Sequence, residues 1–243
     1  MISESCQEIS SKKINALLIG LLRTRSPETV QSYKKTFTTL WRWGWEMGHI
    51  DEPPRGIMRV MSRPQQVRAW TEAQLMKLMR QAERTAGYLR TGFEISWMLT
   101  SWIYLGYETG ARLGDLWAMR YSHIEGDTIR WQMSKTGDPM YRILSRSCLE
   151  SIESLQYKPN DLILGRCCTP ATAARHMRAL CKACRLPGSG KWLRRSGATH
   201  VEMEAPGTGR KFLGHRSHQV ADRYYLDRGQ IQRDAVQVRS IFR

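Results

Sequence analysis

Residues 215–228 read HRSHQVADRYYLDR, a basic segment that sets two adjacent tyrosines, Tyr224 and Tyr225, among arginines near the end of a 243-residue chain. A phenol has a pKa near 10, so about one in a thousand is ionised at neutral pH, a deficit of about 4 kcal/mol for any nucleophilic use. Tyrosine overcomes that deficit only where its surroundings activate it. The pair is therefore read through the basic groups that the rest of the chain can bring to it. Alone, each phenol is an ordinary core residue with a satisfied hydroxyl.

Those basic groups are abundant. The chain holds 38 Lys and Arg against 22 Asp and Glu, a net charge of +16. Such a balance favours polyanions, nucleic acid above all, over neutral or acidic partners. Residues 1–66 carry +4 and the remainder +12, so most of the attraction lies in the larger C-terminal part. A hydrophobic content of 41% is enough for a real core without staples. No apolar run reaches the length of a membrane span, and the acidic start MISESCQE is unlike a signal peptide, so a cytoplasmic, nucleoid-associated protein is expected. Six cysteines, two of them adjacent, do not form a secreted disulfide pattern. Cys167, Cys168, His176, Cys181 and Cys184 have a spacing reminiscent of zinc ligands, but PATAARHMRALCKACR keeps an unbroken helical pattern in which small cysteines suit a buried face. No metal and no cofactor are expected.

The chain reads as mainly α with one small antiparallel sheet, in two domains, 1–66 and 67–243. Ile14, Leu17, Leu18, Leu21 and Leu22 have helical spacing. Ser26 and Pro27 then cap and start a long helix to Met47, with Tyr33, Phe37, Leu40 and Trp41 on one stripe expected to face a core. Lys34, Lys35 and Arg42 lie on other faces. The segment DEPPRGIMRVMSRPQQVRAW breaks the pattern and reads as an inter-domain connection. Thr71 caps a second helical run with Leu75, Leu78 and Met79 inward. TIRWQM and PMYRIL flank SKTGD, a hairpin with its turn at Thr136–Gly137–Asp138 and Lys135 at the tip.

Three further pieces bear on the tyrosines. YETGARLGDL sets Arg112 between glycines, GKWLRRSGATH sets Lys191 and Arg194 one helical turn apart, and FLGHRS presents His215 after a glycine. In this order and spacing, TGARLGDL, LRRSGATH and LGHRSHQVADRYY resemble the motifs of the tyrosine recombinases, or phage integrases, over nearly the whole chain. The resemblance implies an N-terminal helical core-binding domain, a linker, and a catalytic domain of helices with a short sheet. It also implies site-specific cleavage and rejoining of DNA through a 3′-phosphotyrosyl intermediate, with the nucleophile nine residues after the histidine, at Tyr224.

Within that resemblance Arg112 and Arg194 hold the phosphate, Lys135 protonates the leaving oxygen, His215 contacts phosphate or phenol, and Lys191 adds a phosphate contact. Arg195, with Lys34, Lys35 and Arg42, is a candidate for DNA backbone contact. Two departures stand out: Lys191 replaces the usual histidine of the second motif, and Asp115 replaces a more usual Glu. The implied partner is double-stranded DNA, bound by a homotetramer on two sites, with a possible directionality factor and no membrane. No further domain is expected before Ser26, and the apolar residues of GQIQRDAVQVRSIFR are expected to dock onto a neighbouring protomer or fold back. The alternatives are an inactive DNA-binding accessory protein, or a type IB topoisomerase that shares the phosphotyrosine chemistry.

Overall fold

The computed structural model describes residues 10–62, 66–215 and 217–235. They form two compact units, Met1–Gln65 and Gln66–Arg243. The expected apolar tail contact falls largely on residues 236–243, outside the described residues. So does the middle of the connection, at 63–65.

The first unit is a helical pair, α1 (Ser11–Leu22) and α2 (Pro27–Glu46). The side chain of Ser10 accepts the Lys13 N–H and that of Ser26 accepts the Thr29 N–H, so both helices begin on a side-chain cap, with Pro27 supplying a preset φ. Ile14 and Leu18 of α1 meet Val30, Trp41, Ile50 and Val60, with Leu21 and Phe37 at the margin. The irregular chain after α2 is fastened by side chains: Trp41 Nε1 donates to the Glu52 carbonyl (2.8 Å), and Asn15 donates to Gly56 O (2.9 Å) and accepts from Met58 N (2.9 Å).

The expected α2 stripe needs correction. Val30, Phe37, Trp41 and Gly44 face the core, whereas Tyr33 and Leu40 are exposed, as are Leu17 and Leu22 of α1. Among the described residues of this unit, α1 and the chain after α2 cover the 20-residue helix. The buried stripe is correspondingly narrower than the apolar one.

The second unit contains α3 (Glu72–Glu83), α4 (Ile95–Thr109), α5 (Leu113–Ala118), α6 (Arg146–Glu153), α7 (Pro170–Ala183), α8 (Lys191–Glu204), α9 (Gly209–Leu213), α10 (His218–Tyr224) and α11 (Arg228–Ala235). Between α5 and α6 lies an antiparallel meander of β1 (Ile124–Glu125), β2 (Thr128–Gln132) and β3 (Pro139–Ile143), with Trp131 opposite Met140. The fold is mainly α with one small antiparallel sheet, as the sequence indicates. Thr71 closes a full capping box on α3, and Leu75, Leu78 and Met79 are buried.

The core of this unit is centred on α4, whose sequence ISWMLTSWIYLGYET is apolar nearly all round and is accordingly enclosed. α3, α6, α7 and α8 surround it. Helix α8 comes very close at Gly197, where any Cβ would run into the Tyr107 carbonyl of α4. That approach brings the second arginine motif against the end of α4, where the first one begins.

Candidate active site

Helix α4 ends at Gly110, which takes the left-handed conformation (φ 58°) and lets the chain turn sharply into α5. A side chain here would also strike the Phe212 ring. Arg112 follows as the N-terminal flanking residue of α5, with extended backbone (φ −71°, ψ 156°), and its Nη1 lies 3.3 Å from Met133 Sδ at the end of β2. Asp115, on the first turn of α5 and 4% exposed, accepts the Ser134 N–H at 3.0 Å through Oδ1. The carboxylate thereby holds the residue before Lys135. Lys135 itself is exposed in the turn.

Arg194 sits on the first turn of α8 and is 7% exposed. Its Nη1 donates to Gly110 O, and its Nη2 donates to Leu213 O at 2.9 Å and lies 3.2 Å from His215 Nε2. Burial, foremost, pushes its pKa down to about 10, with the Arg112 charge adding to the effect and Tyr225 opposing it. It therefore stays cationic at neutral pH. Five N–H groups are available to a guanidinium, and these contacts occupy three. Tyr225 adds a further side-chain hydrogen bond to the guanidinium, and the buried Nε–H has no partner among the described residues.

His215 follows Gly214, a left-handed residue (φ 64°) ending α9. Burial first, then the charges of Arg194, Arg112 and Lys135, lower its pKa to about 4. It is a neutral imidazole at pH 7, able to accept at Nε2 from Arg194. The same coupling places Arg112, Arg194 and Lys135 within electrostatic reach of one ring.

The tyrosines differ sharply. Tyr224 closes α10 and is 51% exposed, its ring 5.5 Å from the Arg223 guanidinium carbon. Tyr225 lies outside the helix (φ −130°, ψ −29°) and half-buried. Its ring centre is 5.0 Å from the Arg194 guanidinium carbon and 4.8 Å from the His215 ring, edge-on. The residue that touches the basic cluster is thus the second phenol.

Of the other residues singled out in the sequence, Arg195 is half-buried beside Arg194, and burial lowers its pKa. Lys191, the first residue of α8, is exposed, and among the described residues no hydrogen bond or ion pair joins it to Arg112, Arg194 or His215. Lys35 and Arg42 are exposed on α2 and Lys34 partly so, in the first unit. Cys167, Cys181 and Cys184 are buried, and among the described residues no three His, Cys, Asp or Glu side chains converge as a metal ion requires. The contact of Tyr225 with Arg194 escaped the sequence reading, because a helical count places a residue around an axis and says nothing of where that helix ends.

No protein-family model matches the chain. Over 131 residues it is 26% identical to the integrase of Enterobacteria phage 434, a match covering 54% of this chain and 34% of that protein. The chain therefore spans about a third of the length of this curated relative. A lambda integrase dimer bound to a COC′ core site superposes over 95% of this chain and 84% of that one, with a TM-score of 0.76 and 22% identity. The XerH site-specific recombinase bound to a palindromic difH substrate superposes over 95% of this chain and 73% of that one, with a TM-score of 0.70 and 15% identity. The Tn1549 transposon integrase in complex with circular intermediate DNA covers 96% and 86%, with a TM-score of 0.68 and 13% identity. Matching these structures over nearly its whole length, the chain has the fold of the tyrosine recombinases.

Proposed function

We propose that this protein is a site-specific DNA recombinase of the integrase type, which cleaves and rejoins double-stranded DNA through a 3′-phosphotyrosyl intermediate. One observation carries the reading: a buried guanidinium, fixed by two backbone carbonyls and a neutral histidine, keeps its Nε–H without a partner among the described residues, within electrostatic reach of a second arginine and with Tyr225 against it. An oriented donor set of this kind suits the non-bridging oxygens of a phosphodiester and the charge they gain in the transition state. The net charge of +16 supports the same polyanionic substrate.

In this scheme Arg112 and Arg194 clamp the phosphate. The Tyr224 oxygen attacks phosphorus as its proton passes to water, the bond to the 5′ oxygen breaks, and Lys135 delivers a proton to that oxygen. The products are a phosphotyrosine and a free 5′ hydroxyl. Reversal of the same steps by another 5′ hydroxyl rejoins the strand, since the phosphodiester has been exchanged rather than hydrolysed. His215, neutral, accepts from Arg194 and holds its fork still. In this scheme Tyr224, exposed without DNA, turns inward when DNA is bound, and Tyr225 cedes its place beside Arg194. Lys191 and Arg195 extend the phosphate contacts, while Lys34, Lys35 and Arg42 bring residues 1–66 onto the duplex as a core-binding domain. The lambda integrase tetramer bound to a Holliday junction supports a tetramer on two sites as the working assembly, and a directionality factor fits the same scheme.

A specific observation favours a second assignment, with Tyr225 as nucleophile: its ring already lies against Arg194 and His215. Incubation with duplex DNA followed by detergent denaturation separates the two. Under the first assignment Tyr224→Phe abolishes the covalent band and keeps DNA binding, while Tyr225→Phe retains the band. The opposite pattern transfers the role to Tyr225, and no band from the unaltered protein leaves an accessory DNA-binding protein.

A further inference from the structure

Three residues after the nucleophile proposed above, the chain is pinned. Asp227 is 6% exposed, and its two carboxylate oxygens serve different parts of the second unit: Oδ2 accepts the Ala69 N–H at 3.0 Å, and Oδ1 accepts the Gln230 N–H at 3.1 Å, capping α11. Its own N–H donates to Thr199 Oγ1 of α8 at 3.0 Å. Trp70, next to Ala69, is fixed in turn by its N–H to Ser196 Oγ at 2.9 Å on the same helix. Leu226, 2% exposed, is inserted among Ala198, Leu213 and Ala221. On the other side of the tyrosines, Asp222 pairs with Arg228.

The tyrosine segment therefore has a fixed far end. We propose that Asp227 is a positioning residue, whose carboxylate ties the segment carrying Tyr224 to the stretch through which the chain enters its second unit. Three residues of extended chain span at most about 10 Å, so while Asp227 stays bonded Tyr224 moves only within that radius. The second unit begins at Gln66, three residues before Ala69. A pull on the connection thus reaches the tyrosines through one hydrogen bond. This inference rests on Tyr224, or its neighbour, being the nucleophile.

The test uses the full chain with Asp227→Ala and the gentler Asp227→Asn, which keeps one acceptor oxygen. Two quantities are measured: covalent adduct formation at saturating duplex DNA, and amide hydrogen exchange across residues 221–231. For Asp227→Ala the expectation is unchanged DNA affinity and adduct formation slowed about 10²-fold, the penalty typical of a misplaced reacting group. Exchange in 221–231 should quicken about tenfold while α4 keeps its protection, the mark of a local rather than a global loosening. Asp227→Asn should fall between, and it decides the matter if the alanine variant does not fold. Adduct formation at the unaltered rate would overturn the proposal, and so would slow adduct formation with unchanged exchange. Absence of adduct from the unaltered protein would instead sink the recombinase reading, and the exchange comparison would still judge the anchor.

Discussion

At the scale of single residues, the site is defined by how unequally its cations are held. Arg194 is locked by carbonyls at the ends of α4 and α9, whereas Lys135 stands exposed on a turn whose Ser134 N–H is held by Asp115. A group proposed to deliver a proton at one moment would benefit from that freedom. Lys135→Ala should slow cleavage of ordinary DNA far more than cleavage of a substrate with sulfur in the bridging position, because a thiolate departs without a proton. Equal slowing on both would make Lys135 a phosphate contact. His215 provides a second measurable quantity. Its folded pKa of about 4 lies below the usual histidine value near 6.5, so between those limits the unfolded chain binds more protons than the folded one. Stability is then full above about pH 6.5 and declines as pH falls towards 4. The urea midpoint should drop between pH 7 and pH 5, and His215→Gln should flatten that slope. Buried His200, shifted in the same direction, leaves a residual slope.

At the scale of elements, the junction of α4 with α5 is the most exacting piece of local structure. Gly110 combines a positive φ, contact with Phe212 and a carbonyl that receives Arg194. Gly110→Ala should cost at least about 1–2 kcal/mol from the left-handed backbone alone, read as a lowered urea midpoint. Impaired adduct formation should follow, since the Arg194 acceptor shifts as well. Much of this was legible beforehand. The caps at Ser26 and Thr71, the hairpin ending near Lys135 and the placing of Arg112 after Gly110 all follow from local chemistry, which a sequence states directly. The inward face of α2 did not, because Tyr33 and Leu40 obey the same periodicity as Phe37 and Trp41, and only the number of covering elements decides which of them are buried. Asp227 was equally hidden. Its partners Ala69 and Thr199 are distant in sequence, and an Asp after two tyrosines carries no periodic signal.

At the scale of the molecule, charge and fold act together. The +16 net charge is spread over both units, and two units gripping one duplex would neutralise several phosphates. With about 6–10 such contacts, affinity should fall roughly 10³–10⁵-fold between about 50 and 200 mM salt, measured by equilibrium binding. A nearly flat response would move the DNA away from the basic surface. Removing residues 1–65 tests the division of labour: the remaining unit, which holds the whole arginine cluster, should lose affinity and salt sensitivity together while keeping the capacity to form adduct at high concentration.

The way Arg194 is threaded between the carbonyls of Gly110 and Leu213 has a consequence for how such sequences evolve. The side chain that would stabilise the reacting phosphate also ties together two helix ends in the interior, so its loss leaves buried acceptors without donors and lowers stability as well as activity. A lineage that abandoned DNA cleavage would still be under pressure to keep this arginine, as it would Gly110. Survival of the motif around Arg194 thus speaks for an intact interior, and it is the exposed lysine on the hairpin, free to drift once chemistry ceases, whose identity in related chains would distinguish working enzymes from retired ones.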